Sequence, residues 1–325
     1  MKTDTADRIV EYIKRKVRAT PRELVVYLSI SPQAVFKHLR KLVDNNVLYK
    51  TGRPPAVYYS LIEKEPAVED ININPDLEKT IESNFLVITP SGEYRAGLEG
   101  FVYWCRKFNL PVSKTAQEYG RTLEKYNAYK SGNLINGMDK FRSTFETVHL
   151  DHVCYLDFYA IERFGKTKLG QLLLSAKQGQ DRGLIRLLTE EIKPGIDSLI
   201  QKYEIDGVGY IPPTIKREIQ FMKELKRNLN LNVKEVSIIK LKPPVIVAQK
   251  SLSKLEDRIE NARNTIVVNE ERHFRNILLI DDAVGSGATF NETAARIREK
   301  KICSGRITGL AVTGSFKGFD VISEI

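Results

Sequence analysis

NILLIDDAVGSGATFNE, residues 276–292, is the stretch that decides the fold. Its apolar run, 277–280, ends in two adjacent acids, Asp281 and Asp282. A turn of small residues follows, Gly285-Ser286-Gly287-Ala288-Thr289, and a helical pattern runs on from Phe290. The stretch therefore reads as a buried strand, a tight turn and a helix start, with carboxylates at the strand's carboxyl end, where open α/β sheets bind ligands. Working outward, apolar strands are expected at 205–211, 236–239 and 307–314, with a helix over 215–228. Strands alternating with helices make an α/β fold, a parallel sheet covered on both faces.

Successive backbone N–H groups in a Gly/Ser turn that opens a helix form a phosphate cradle, which the helix dipole reinforces. Glycines let the backbone approach the anion, and the hydroxyls of Ser286 and Thr289 add hydrogen bonds. Two carboxylates beside such a cradle suit a sugar diol and can also hold magnesium. A diol next to a phosphate describes a ribose 5-phosphate. No Gly-Lys-Ser/Thr follows the glycines, so this is not a Walker A loop.

At these residues the chain resembles the type I phosphoribosyltransferases. Their phosphoribosyl-pyrophosphate motif has four apolar residues, two acids, two variable residues and a short Thr/Gly turn ending in Thr. Gly285 and Ser286 stand where that family usually has Thr-Thr, which removes hydroxyl contacts but keeps the amides. Over residues 158–325 the likeness extends to the ComF-like branch. Asp206, Pro212-Pro213, Lys216, Arg217 and Gln220 follow part of one motif of that branch, without its Gly-Phe-Asn core; Gln249, Leu252, Glu256, Arg258 and Asn261 follow the order of another. The resemblance implies a phosphoribosyltransferase fold with Mg2+ as cofactor and phosphoribosyl pyrophosphate as ligand. Asp281 and Asp282 would hold ribose and magnesium, and the turn 285–289 the 5-phosphate. Pro212, Pro213 and Thr214 would line the pyrophosphate, with Lys216 and Arg217 supplying charge. Residues 249–264 would form a lid carrying Lys250, Lys254 and Arg258. The activity implied is phosphoribosyl transfer or hydrolysis of the ligand, in its most pointed form as the toxin of a bacterial toxin–antitoxin or phage-defence pair with an antitoxin partner. The alternative is a transcription regulator that senses the ligand without turnover. Residues 313–325, where the family places a base-recognising hood, show no purine or pyrimidine pattern.

Residues 1–62 carry twelve Lys/Arg against five Asp/Glu, most of the chain's net charge of +10, an asymmetry that points to an anionic polymer. Helical spacing runs from Thr5 to Val17. Thr20-Pro21 and Ser31-Pro32 are two cap-then-proline start signals, opening helices over 21–28 and from 32 to about 43. Strands at 47–49 and 57–61 flank the turn-rich, basic 50–55. The stretch resembles a winged helix-turn-helix DNA-binding domain. Val35, Phe36, Leu39 and Leu42 are expected in its core, leaving Gln33, Lys37, His38 and Lys41 for the major groove and Arg53 for the minor groove or a phosphate.

Residues 63–76 are acidic, carry two prolines and read as a linker. Residues 77–157 read as mainly helical, with helices over 97–108 and from an N-cap at Ser113 to 129. Their aromatics make a helical core, or on a sharper reading a homodimer interface. Helical patterns follow at 168–177 and 181–192. His149, His152 and Cys154 suggest a metal, but an alternating strand there puts the two histidines on opposite faces and no second cluster completes a zinc site, so no protein-only metal site is expected. Three scattered cysteines make no disulfide framework. With no apolar run of about 20 residues and no signal peptide, the expected setting is the cytoplasm, without a membrane.

Overall fold

The structure is a computed structural model that describes residues 4–16, 18–45, 47–53, 56–61, 73–213, 217–241, 252 and 254–315, with backbone only for 51–53 and 56. The chain divides into two compact units, Met1–Ile71 and Asn72–Ile325.

In the first unit, helices α1 (Thr5–Lys16), α2 (Pro21–Leu28) and α3 (Pro32–Asp44) pack with a three-stranded antiparallel sheet of β1 (Arg18–Ala19), β2 (Leu48–Arg53) and β3 (Ala56–Leu61), in the order β1-β3-β2. The start signals work as the residue types dictate. The Thr20 hydroxyl accepts from the Glu23 amide while the Glu23 carboxylate accepts from the Thr20 amide, a reciprocal cap. The Ser31 hydroxyl accepts from Ala34 N. Ile9, Ile13, Leu24, Val35, Leu39 and Leu48 form the core. Phe36 does not join it: the side chain is 52% exposed. Val35, Leu39 and Leu42 already fill the inward stripe at helical spacing, and Phe36 lies a full residue step, about 100°, around the helix.

The second unit is built on a seven-stranded sheet. In chain order its elements are α4 (Pro75–Asn84), β4 (Leu86–Ile88), β5 (Tyr94–Ala96), α5 (Gly97–Lys107), α6 (Val112–Asn127), β6 (Lys130–Ser131), β7 (Leu134–Asn136), α7 (Met138–Thr144), β8 (His152–Phe158), α8 (Lys168–Gly179), α9 (Arg182–Lys202), β9 (Gly207–Tyr210), α10 (Phe221–Leu229), β10 (Lys234–Val236), β11 (Ile238–Lys240), α11 (Leu255–Thr265), β12 (Ile266–Val268), β13 (Ile277–Val284), α12 (Ala288–Glu299) and β14 (Ile307–Gly314). The sheet order is β10-β9-β13-β14-β8-β7-β6. The first five strands are mutually parallel; β7 turns antiparallel on β8. The chain steps outward from β9 to β10, then returns to β13 on the other side of β9. The order therefore reverses between β9 and β13, and such a switch point opens a crevice at the strands' carboxyl ends.

Strand alternation sends β13 into two cores. Leu278 and Ile280 pack with Leu172, Ile185 and Leu225 of α8, α9 and α10. Ile277 and Leu279 pack with Phe290 and Ala294 of α12, and with Phe101, Tyr119 and Phe141 of α5, α6 and α7. Each such fully buried side chain contributes on the order of 1.5–3 kcal/mol. The aromatics of residues 77–157 thus share one core with the sheet, and the hairpin β6-β7 extends it. At the amino end of β13, the Asp206 carboxylate accepts from the amides of Arg275 and Asn276, which fixes β13 against β9.

Several boundaries move from where the sequence suggests. Asn74 caps α4, so Pro75 and Asp76 belong to a helix and not to the linker. Pro111 is the N-cap residue of α6 and Ser113 lies inside it. The helix expected from 215 begins at Phe221, after an irregular stretch. The apolar run 236–239 is split: β10 joins the large sheet, while β11 pairs with β12 in a separate two-stranded sheet. At the break, the Ser237 amide donates to the Glu270 carboxylate. Among the described residues no helix is long and apolar enough to cross a membrane.

Candidate functional site

Asp281 and Asp282 sit in the last half of β13, both partly exposed. The Asp281 carboxylate accepts from the Asp282 amide at 2.7 Å, which locks its rotamer at the strand end. Burial, and then the negative charge of Asp282, push the Asp281 carboxyl well above the usual carboxylate range. Two adjacent carboxyls at a strand end suit a ligand that brings hydroxyl donors or positive charge.

Two lysines that the sequence did not mark stand beside the pair. Lys177 lies in the last turn of α8, whose N-terminus is fixed by the Thr167 hydroxyl accepting from Gly170 N. Its Nζ is 2.6 Å from Asp282 Oδ2. Burial works against its charge, but the Asp282 carboxylate outweighs this and raises the Lys177 pKa. Lys240 ends β11; burial lowers its pKa and the charge of Asp281 opposes that. No local signal could have singled out either lysine, because only the fold brings 177 and 240 to residue 281.

The turn has its own geometry. Gly287 has φ +84°, and a Cβ there would lie 2.4 Å from Cζ of Phe141. Both the left-handed backbone and the packed ring require glycine. The Ser286 hydroxyl accepts from Ala288 N at 3.3 Å. Among the described residues, the amides of Gly285, Ser286 and Gly287 donate to no protein acceptor. They are therefore still able to bind an anion at the start of α12.

The turn expected to hold pyrophosphate begins level with the acids. The Ile211 amide donates to the Ile280 carbonyl at 2.9 Å, and Pro212 and Pro213 follow directly. Thr214 and Lys216 lie outside the described residues. Arg217 donates to the Lys177 carbonyl, the Gln220 side chain donates to the Arg217 carbonyl, and the Ile219 amide donates to Gln180 Oε1. The segment after the turn is thereby tied to the end of α8, next to Lys177.

The stretch expected to be a lid is in part a packed helix. Lys250 lies outside the described residues, and Lys254 is the exposed N-cap residue of α11. Arg258, buried, donates from Nε to the Leu252 carbonyl at 2.7 Å. Its Nη1 lies 3.9 Å from the place a Cβ on Gly285 would take. The geometry sets Arg258 beside the 285–289 turn.

In the first unit, Gln33, Lys37 and Lys41 are exposed along α3 and His38 is half-buried. Arg40 and Phe36 share the exposed side, though apolar character alone would put Phe36 inside. Arg53 ends β2; its side chain lies outside the described ones. His152 stacks on Tyr203 with centroids 4.9 Å apart, and His149 lies before β8. Among the described residues no His/Cys/Asp/Glu group could hold a metal by itself. No protein-family model matches the chain, and a search of curated proteins found no match.

Proposed function

We propose that residues 72–325 bind phosphoribosyl pyrophosphate with magnesium and consume it, by phosphoribosyl transfer or hydrolysis, on a type I phosphoribosyltransferase fold. The observation that carries this reading is the placement of Asp281 and Asp282 at the switch-point end of β13, directly before a turn whose three amides meet no acceptor among the described residues. On this reading the two carboxylates accept hydrogen bonds from the ribose hydroxyls. The amides of 285–287 and the α12 N-terminus hold the 5-phosphate. Residues from Pro212 to Arg217 flank the pyrophosphate, with Lys177 adjoining.

Little covalent chemistry is asked of the protein. The chain's part is to align C1 of the ribose with its leaving group and to stabilise the charge that develops on pyrophosphate. Magnesium fits the oxygen donors of the adjacent Asp281 and Asp282 carboxyls; when bound it would neutralise charge on the departing pyrophosphate. Asp281 and Asp282 are the residues that would hold it.

For the first unit we propose a DNA-binding winged helix, supported by the exposed Gln33, Lys37 and Lys41 along α3 and by the hairpin β2-β3. That basic face favours a second use of the same site, a regulator that reports ligand occupancy to DNA. A toxin with an antitoxin partner is the most pointed form of the ligand-consuming reading, and a homodimer is compatible with either use.

Calorimetry against magnesium and phosphoribosyl pyrophosphate should show binding that Asp281→Asn/Asp282→Asn abolishes; unchanged affinity in that variant sinks the site. Pyrophosphate release in the same mixture separates the uses. Turnover without added base indicates hydrolysis, and tight binding without turnover indicates the regulator.

A further inference from the structure

Residues 77–157 lie outside the stretch that resembles phosphoribosyltransferases, yet α7 reaches the 285–289 turn. The Phe141 ring lies against Gly287, at the contact that would exclude a Cβ there. The connection that follows α7 is clamped to α12: Asn291 Oδ1 accepts from His149 N at 2.9 Å, and Asn291 Nδ2 donates to the Thr147 carbonyl at 2.9 Å. Asn291 is buried and lies in the first turns of α12. The position of α7 relative to the turn is therefore fixed from two directions.

Lys140 precedes Phe141 on this anchored helix. Its Nζ lies 3.2 Å from the Ser315 hydroxyl. Ser315 directly follows Gly314, and Gly314 pairs with Val284, the residue before Gly285. The Lys140 ammonium therefore sits beside the residue that follows the strand partner of Val284. From α11, Arg258 brings Nη1 to 3.9 Å from the Cβ position of Gly285.

We propose that Lys140 and Arg258 are binding residues that bracket the 285–289 turn, and that together they select a terminal phosphate monoester, as on a sugar 5-phosphate, over an uncharged sugar. The inference rests on the reading of that turn as the 5-phosphate site. Amides alone give a dianion only partial charges; two cations from separate elements supply the full complement. Lys140 is on a half-exposed helix position, and Arg258 is buried and bonded to the Leu252 carbonyl.

The test is calorimetry of the full chain with ribose 5-phosphate, ribose and magnesium phosphoribosyl pyrophosphate, comparing the native protein with Lys140→Ala, Lys140→Arg and Arg258→Gln. The native chain should bind ribose 5-phosphate and not ribose. Lys140→Ala should weaken both phosphorylated ligands roughly ten- to hundredfold, and Lys140→Arg should restore most of that. Thermal melts identify any Arg258→Gln loss that reflects unfolding, and Lys140, half-exposed, carries the decision. Native binding of phosphoribosyl pyrophosphate with Lys140→Ala unchanged overturns the bracket and leaves the site standing. Absence of native binding to either phosphorylated ligand overturns both.

Discussion

At the scale of single residues, Gly287 and Asp281 make the sharpest demands. Gly287 combines a left-handed φ with a ring where a Cβ would go. Gly287→Ala should cost roughly 2 kcal/mol or more, from backbone strain and overpacking together, read as a lower midpoint in denaturant unfolding. A neutral result would mean that Phe141 retreats without penalty. Asp281 governs pH dependence. Its folded pKa is raised above the ordinary 3.8, so the folded state holds a proton that the unfolded state releases. The stability this brings is present below 3.8 and is lost as pH climbs through the raised value. Ligand contact that needs the ionised carboxylate runs the other way. Affinity for phosphoribosyl pyrophosphate should strengthen with pH across the same window, with proton release on binding. Titration calorimetry in buffers of different ionisation heat would detect that release, and Asp281→Asn should eliminate it. The motif was legible at this scale because each of its residues has a local job. Lys177, Lys240 and Lys140 were not, because each owes its place to packing between segments far apart in the chain.

Elements show where local pattern reading succeeds and where it stops. Cap signals at Thr20 and Ser31 placed two helix starts, since a side chain bonding to an amide three residues on is a local event. The run 236–239 misled because periodicity does not record which sheet a strand joins. Phe36 misled because apolar character alone put it inward, while Val35, Leu39 and Leu42 already complete the stripe. This gives a paired expectation for α3. Leu39→Ala should cost about 2–5 kcal/mol, whereas Phe36→Ser should stay within about 0.5 kcal/mol, both by chemical denaturation. On DNA, Lys37→Ala should weaken binding of the full chain and reduce the slope of log affinity against log salt by about one. A slope indifferent to that substitution would leave α3 as a merely solvated face.

Taken whole, the second unit is continuous across residue 158, where the likeness to phosphoribosyltransferases begins. The sequence separated 77–157 from 158–325, and the fold interleaves them. Phe101, Tyr119 and Phe141 share a core with Leu279 and Ala311, and β8 supplies the strand next to β14. That sharing is invisible to pattern analysis because it depends on long-range contacts. Ligand should accordingly stabilise the whole of 72–325 as one cooperative transition. At a hundredfold excess over Kd the gain is about 2.7 kcal/mol, and scanning calorimetry should show it on a single peak for that unit.

The place of β8 also has a practical side for anyone expressing pieces of this protein. A fragment starting at residue 158 would keep β14 but lose nearly all of the strand that hydrogen-bonds to it. The eight residues ITGLAVTG would then present bare amides and carbonyls along an apolar rim, a template on which other chains can add. Such a fragment should emerge as inclusion bodies or high-mass oligomers, while one starting at residue 72 should elute as a defined species on size exclusion.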